Sequence, residues 1–308
     1  MTKIVVIGAN SFLARNLIQV IKREKDSYEL RLYGKEEKQM DGEENYTCIN
    51  VLDRSSVHSI NLHCDIIYFF VGKTGIEQAF EEYESYIAVN EIALLNIMTE
   101  YIAQASQAKF VFPSSRLVYK GRNGALMEND EKDSKSIYAI NKLACEQYIK
   151  LYNRVYGLQY LILRICVPYG SLVEGEISYG TMGFMLKNAW QHQNIRLFGK
   201  GEPRRTLTHV EDLSYAFLYG AESPECVNNV YNVGGEDYSL KEMAELIAEK
   251  FQIGIDYVPW PERATKMESG NTVFDSGQLD RKIRYKKNTF KSWLNMIGET
   301  NYEKASIN

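Results

Sequence analysis

The chain has 308 residues, with 36 Lys and Arg against 40 Asp and Glu, a formal net charge of −4 at pH 7. Its 45% apolar and 25% charged content is ordinary for a globular protein and excludes collagen-like, coiled-coil and disordered chains. The slight acidic excess argues against a nucleic-acid partner, no run approaches the ~18 apolar residues of a membrane helix, and the N-terminal apolar run is too short for a signal peptide.

Apolar patterning alternates along the chain. Short β-branched runs read as buried strands at Lys3–Ile7, Glu29–Tyr33, Tyr46–Asn50, Asp65–Phe70, Lys109–Phe112 and Tyr160–Arg164. Between most of them lie segments of helical spacing at Phe12–Arg23, Ser56–Ser59, Gln78–Ala105 and Ser136–Tyr156. Strand and helix in alternation predict an α/β fold, a doubly wound parallel sheet with ligands at the carboxyl ends of its strands. After Arg164 the rhythm changes. Tyr169–Met182 reads as loop and Gly183–Gln191 as helix, with short strands at Ile195–Phe198 and Thr206–Val210. Glu211–Gly220 reads as helix, Val230–Val233 as strand and Leu240–Phe251 as a helix capped by Ser239. We expect a nucleotide-binding domain over residues 1–165, joined by segments around 206–235, and a smaller α/β lobe over 166–308. The five cysteines are scattered without a CxxC, which predicts free thiols in a reducing cytoplasm. The four histidines form no HxH or HExxH, so no metal site is expected.

Residues 3–14 read KIVVIGANSFLA. A strand ends at Gly8 and a helix begins near Phe12, so the amides of Gly8, Asn10, Ser11, Phe12 and Leu13 form a candidate pyrophosphate cradle helped by the helix dipole. Ser11 and Ala14 stand where closer-fitting turns carry glycines. At the end of the second strand an acid would bind both adenosine ribose hydroxyls and favour NAD, whereas a base would favour NADP. The sequence there is LRLYGKEEK. With no acid at Tyr33–Gly34, Lys35 following, and Arg31 nearby if its side chain turns that way, the expectation is NADPH, with NAD(H) as the alternative. Glu36 and Glu37 weaken that lean.

Tyr138 and Lys142 lie four apart in a helical segment, hence on one face. A phenol has a reference pKa of about 10, and a neighbouring ammonium favours its ionised form. Upstream, FPSSRLVYKG puts Ser114 and Ser115 at the carboxyl edge of the sheet, where a serine hydroxyl can orient a carbonyl while Tyr138 exchanges a proton.

These motifs resemble extended short-chain dehydrogenases/reductases of the nucleotide-sugar epimerase/dehydratase group. The resemblance rests on Gly8-x-x-Ser11-x-x-Ala14, Ser114-Ser115-x-x-Val118-Tyr119, Asn90 in YIAVN, YAINKLACE, LRICVPYG, GKGEPRRTLTHVEDL and YNVGG. It implies a Rossmann domain and a catalytic triad of Ser115, Tyr138 and Lys142. It further implies adenine contacts at Asn50 or Val51, a cofactor cleft lined by Phe70, Val71, Gly72, Lys73 and Asn90, and a nicotinamide-side loop from Pro168. Substrate contacts are expected at Ser115, Arg116, Val167 and Arg205, with Arg205 on the nucleotide phosphates. Val167 stands where many relatives carry an Asn. Arg116 and Leu117 occupy positions where dehydratases of the group carry an Asp-Glu pair, which disfavours water elimination.

The resemblance leaves two reactions open on one triad. The favoured expectation is an NAD(P)H-dependent reductase of a nucleotide-linked 4-keto-6-deoxyhexose, serving deoxysugar or polysaccharide precursor synthesis. The alternative is a UDP-hexose 4-epimerase with tightly bound NAD. A non-catalytic nucleotide-binding member is a third reading, which the intact triad disfavours. A nucleotide-sugar substrate and a homodimer are the expected partners. The dimer would form through parts of Gln78–Ala105 and Ser136–Tyr156, with Tyr148, Leu151 and Tyr152 on one candidate face.

Overall fold

The computed structural model describes residues 1–24, 27–174, 178 and 180–297. The first half runs β1 (Thr2–Ile7), α1 (Phe12–Arg23), β2 (Tyr28–Gly34), β3 (Tyr46–Cys48), α2 (Arg54–His58) and β4 (Ile66–Phe69). It continues with α3 (Tyr83–Ile87), α4 (Ala93–Ala103), β5 (Lys109–Ser115), α5 (Ile137–Tyr156) and β6 (Tyr160–Ile165). The second half runs β7 (Val167–Tyr169), α6 (Gly180–Trp190), β8 (Ile195–Phe198), β9 (Arg204–His209) and α7 (Val210–Glu222). Then follow β10 (Asn229–Asn232), β11 (Glu236–Ser239), α8 (Leu240–Phe251) and β12 (Ile255–Val258).

Among the described residues the main sheet has seven strands in the order β10-β6-β5-β4-β1-β2-β3. Every pairing in it is parallel. Strand order reverses between β1 and β4, so a crevice opens there beyond their carboxyl ends. Alternation along β1 fills both faces. Ile4 and Val6 pack with Leu17 and Ile18 of α1 and Phe217 of α7. Val5 and Ile7 pack with Ile97 of α4 and Ile149 of α5. All four β1 side chains are fully buried, and each contributes roughly 1.5–3 kcal/mol of apolar burial. The lobe's three-stranded sheet, β11-β9-β7, and its strand pair, β12-β8, enclose a third core with α6 and α8. Ser239 and Glu242 cap α8 reciprocally, as the sequence around Leu240 predicts.

Three local readings change. The helical pattern from Gln78 to Ala105 is not one helix: a 3-10 turn and α3 precede a π turn over Ala88–Ile92, and only then does α4 begin. The extra residue of the π turn directs Asn90 inward, where it is 3% exposed. The segment read as a loop from Tyr169 begins inside β7 and ends inside α6, with 175–177 and 179 outside the described residues. Arg31 does not serve the ribose. Its guanidinium donates to the carbonyls of Asn61 and His63, at 2.9 and 2.7 Å, away from the carboxyl end of β2.

A buried histidine fixes the lobe to the sheet. His209 caps α7, its Nδ1 accepting from the Glu211 amide at 3.3 Å, and its ring packs 5.1 Å from that of Tyr169. Gly170, at φ +81, leaves room for it, since a Cβ there would lie 2.5 Å from His209 Nε2. Burial holds the imidazole neutral and pushes its pKa down to about 4, against a weaker opposing pull from Glu211. A histidine with a depressed folded pKa contributes stability that is complete above about 6.5 and is lost as pH falls toward 4. We expect the melting temperature to drop between pH 6.5 and 4.5, and the drop to be smaller in His209→Asn, which keeps the cap. Equal pH dependence in both proteins would contradict this assignment.

Candidate functional site

The β1–α1 turn forms because Gly8 adopts φ +86 and presents no side chain. A Cβ on it would lie 2.8 Å from the Phe70 carbonyl carbon and the Val71 nitrogen, so the turn rests directly on the end of β4. Ser11 caps α1, its Oγ accepting from the Ala14 amide at 3.4 Å. The Gly8 and Ser11 amides of the expected cradle are spent within the turn, on the Tyr33 and Gly8 carbonyls at 2.8 and 2.9 Å, and the turn borders a cavity of about 330 Å³. Its walls include Gly8, Asn10, Ser11, Lys35, Asn50, Val51, Phe70, Val71 and Gly72 from the predicted set, and also Glu36.

Glu36 is a feature that the strand-end rule passes over. It lies two residues beyond Gly34, and Asn10 draws it to the wall by donating to its Oε2 at 3.1 Å. Asn10 also donates to the Lys38 carbonyl and accepts from the Met40 amide, so one side chain folds the β2–β3 loop against the turn. Nearby, Arg15 and Asp41 pair at 2.6 Å. Burial alone would raise the Asp41 carboxyl, but hydrogen bonds from Arg15 and Gln39, with the charge of Arg15, hold it below its usual range. Lys35 projects outward, its side chain 86% exposed. The NADPH expectation took the strand end at Tyr33–Gly34 as free of acids and counted Glu36 against itself, and the structure brings Glu36 onto the cavity wall.

A second cavity, of about 430 Å³, shares Ser11, Phe70, Val71 and Gly72 with the first. Phe12, Leu13, Ser115, Tyr138, Lys142 and Cys166 complete much of its wall. The predicted triad thus converges on one space from β5 and α5. Ser115 ends β5 and caps the following 3-10 turn, its Oγ accepting from the Leu117 amide at 3.2 Å, which leaves its O–H to donate elsewhere. Ser136 caps α5, and this start sets Tyr138, Lys142 and Glu146 along one stripe of the helix.

Lys142 is 6% exposed; its Nζ donates to the Pro113 carbonyl at 2.8 Å and lies 4.5 Å from the Phe112 ring centre and 5.8 Å from that of Tyr138. Burial pushes its pKa down to about 8, although Cys145 and Glu146 pull the other way. Between pH 8 and 10.5 the unfolded chain therefore holds a proton that the folded site has released, so stability rises with pH across that window. At pH 7 the buried ammonium costs on the order of 3 kcal/mol. We expect Lys142→Met to melt no lower than the wild type at pH 7. A drop of several degrees would contradict this.

Behind the triad, Glu146 and Arg164 form a fully buried ion pair at 2.6 Å, with side chains 0% and 3% exposed. Glu146 Oε1 also accepts from Ser114 Oγ at 2.6 Å, and Arg164 donates to the Tyr119 hydroxyl at 2.7 Å. This network joins α5, β5 and β6 beneath Ser115. Asn90 braces the opposite wall: its Oδ1 accepts from the Lys73 amide at 2.7 Å and its Nδ2 donates to the Lys73 carbonyl at 3.1 Å. The Lys73 side chain itself turns away to Glu82 and Ser85, so its backbone rather than its ammonium belongs to the cleft.

The remaining predicted residues stand one layer back. Pro168 and Val167 lie in β7 and are buried. Arg205 is 2% exposed, and donates to Glu268 Oε1 and the Gly270 carbonyl, both at 2.6 Å. Arg116 donates to Ser269 Oγ at 3.0 Å and Thr272 Oγ1 at 3.4 Å.

The chain resembles known proteins in sequence and in fold. The model of the NAD dependent epimerase/dehydratase family matches residues 4–234. A putative UDP-glucose 4-epimerase of Methanocaldococcus jannaschii is 31% identical over 169 residues, 54% of this chain and 53% of that protein. A GDP-6-deoxy-D-mannose reductase of Pseudomonas aeruginosa is 24% identical over 214 residues, 66% of this chain and 69% of its own. In fold, the chain superposes on the UDP-glucose 4-epimerase of Thermus thermophilus, solved in complex with NAD, with a TM-score of 0.82 at 18% identity, over 98% of this chain and 99% of that one. From the glycine turn through the Ser115–Tyr138–Lys142 constellation to the strand at the sheet's far edge, the chain belongs to the NAD dependent epimerase/dehydratase family.

Proposed function

We propose that this protein is a nucleotide-sugar 4-epimerase that keeps NAD in the crevice between β1 and β4. The observation that carries the choice of epimerase over reductase is Glu36, an acid tethered on the wall of the first cavity by Asn10. A carboxylate there accepts from both ribose hydroxyls and repels a 2′-phosphate. The cavity suits a dinucleotide in its glycine turn, the N-terminus of α1 beside it and its continuity with the triad. When bound, the nicotinamide supplies the acceptor and donor of hydride for the sugar carbon.

The chain's own groups do the rest. Ser115 donates a hydrogen bond to the C4 oxygen. Tyr138 takes the C4 hydroxyl proton during oxidation and returns one during reduction on the other face. Lys142, held by the Pro113 carbonyl, favours the phenolate through its charge. Arg116 and Leu117 offer no acid–base pair for eliminating water. The reductase reading uses the same groups but needs an exchangeable NADPH.

The protein works as a homodimer. On α5, Tyr148 and Tyr152 pack inward on the core while Leu151 and Val155 stay exposed, and Ile87 and Ile92 do the same on the neighbouring segment. These provide an apolar face for a second copy.

The cofactor test is direct. Denatured protein should release near-stoichiometric NAD, and emptied protein should bind NAD at least ten-fold tighter than NADP, with Glu36→Lys reversing the order. Emptied protein that prefers NADPH would restore the reductase.

A further inference from the structure

The turn that carries Ser115 also carries a guanidinium with no carboxylate to answer it. Arg116 sits in the 3-10 turn directly after Ser115 and is mostly buried. Its partners are two neutral hydroxyls, Ser269 Oγ at 3.0 Å and Thr272 Oγ1 at 3.4 Å; among the described residues no carboxylate reaches it. The one acid nearby, Glu268, is engaged by Arg205 at 2.6 Å. Arg205 also spends its donors on the carbonyls of Arg204 and Gly270. Two guanidiniums therefore stand near one carboxylate, and only Arg205 pairs with it. Burial and repulsion from Arg205 pull the Arg116 pKa down to about 10, against weaker opposing pulls from Cys166, Glu268 and Tyr138.

Arg116 connects to the catalytic cavity through Thr272 and Cys166. Cys166 lines that cavity together with Ser115 and Tyr138. Its Sγ donates to the Thr272 carbonyl at 3.2 Å and lies 3.7 Å from Thr272 Oγ1, the hydroxyl that Arg116 touches. A buried guanidinium held only by neutral groups is poised for an anion brought by a ligand, and its planar donors match a carboxylate two bonds at a time. The nucleotide's own phosphates are one source of such charge. The position of Arg116, on the residue after Ser115, favours a charge borne by the sugar next to the reacting carbon.

We propose that the hexose of the substrate carries a carboxylate and that Arg116 receives it, so that the protein acts on nucleotide-linked uronic acids. The proposal rests on the nucleotide-sugar reading above. Its test is the binding of UDP, UDP-glucose and UDP-glucuronate to the NAD-loaded protein by calorimetry, in the wild type, Arg116→Gln and Arg116→Lys. The wild type should bind UDP-glucuronate at least ten-fold tighter than UDP-glucose. Arg116→Gln should erase that difference with UDP affinity unchanged, and Arg116→Lys should restore part of it. Equal affinity of the wild type for the two sugars would overturn the proposal and leave the epimerase reading standing. So would a loss in Arg116→Gln that is the same for all three ligands, because the guanidinium would then serve the phosphates. If none of the three binds while NAD does, the nucleotide-sugar reading fails and this proposal with it.

Discussion

Tyr138→Phe is expected to lower turnover by roughly two to four orders of magnitude, the range that a positioned acid–base group contributes. The substitution removes one oxygen from a side chain that lines the second cavity beside Ser115 and Lys142. The ring remains, so packing on α5 and affinity for the nucleotide sugar should change little. The loss should fall on kcat, with KM nearly constant, because the missing proton transfer belongs to the transition state. Activity within a few-fold of the wild type would mean that Tyr138 does not move the proton.

The largest expected change in stability comes from Arg164→Ala. Removing this guanidinium leaves Glu146 charged and enclosed, with Ser114 as its remaining side-chain donor in the pair's network. Breaking one side of a buried pair costs about 3–5 kcal/mol. Tyr119 and the Glu128 carbonyl lose their bonds to the same guanidinium. Urea unfolding should show the drop, and Arg164→Lys should recover only part of it, since one ammonium cannot reproduce the two bonds to Glu146 at 2.8 and 2.6 Å. The effect should also reach catalysis, because the network underlies the β5 end that presents Ser115. A loss below about 1 kcal/mol would show the pair to be replaceable.

Much of this site was legible in the residues. A short β-branched run and helical spacing marked β1 and α1, and with them the glycine turn. The four-residue spacing of Tyr138 and Lys142 needed only a helix to become a common face. What escaped was set by contacts between distant segments. Glu36 looks like one charge among several in a solvated turn, and only the reach of Asn10 across 26 positions brings it to the cavity wall. The inward turn of Asn90 depends on a π turn that leaves apolar spacing almost undisturbed.

Two misses had signals. An arginine amid the apolar run LILRI demands a buried partner, and Glu146 continues the stripe of Tyr138 and Lys142 by one more turn. Together they announce the ion pair. Arg31 is the converse: strand alternation alone does not say which end of the sheet a long side chain will seek, and two free carbonyls at Asn61 and His63 decided it.

Reversible oxidation at C4 can be followed through a deuterium placed there. NAD-loaded protein would be incubated with UDP-glucose and with UDP-glucuronate, each labelled at C4, in unlabelled water, and the products read by NMR. The C4 epimer should form with the label retained at C4, without net change in NAD and without solvent hydrogen entering C3 or C5. No C4 epimer from either sugar, loss of the label from C4, or solvent hydrogen appearing at C5 would contradict it.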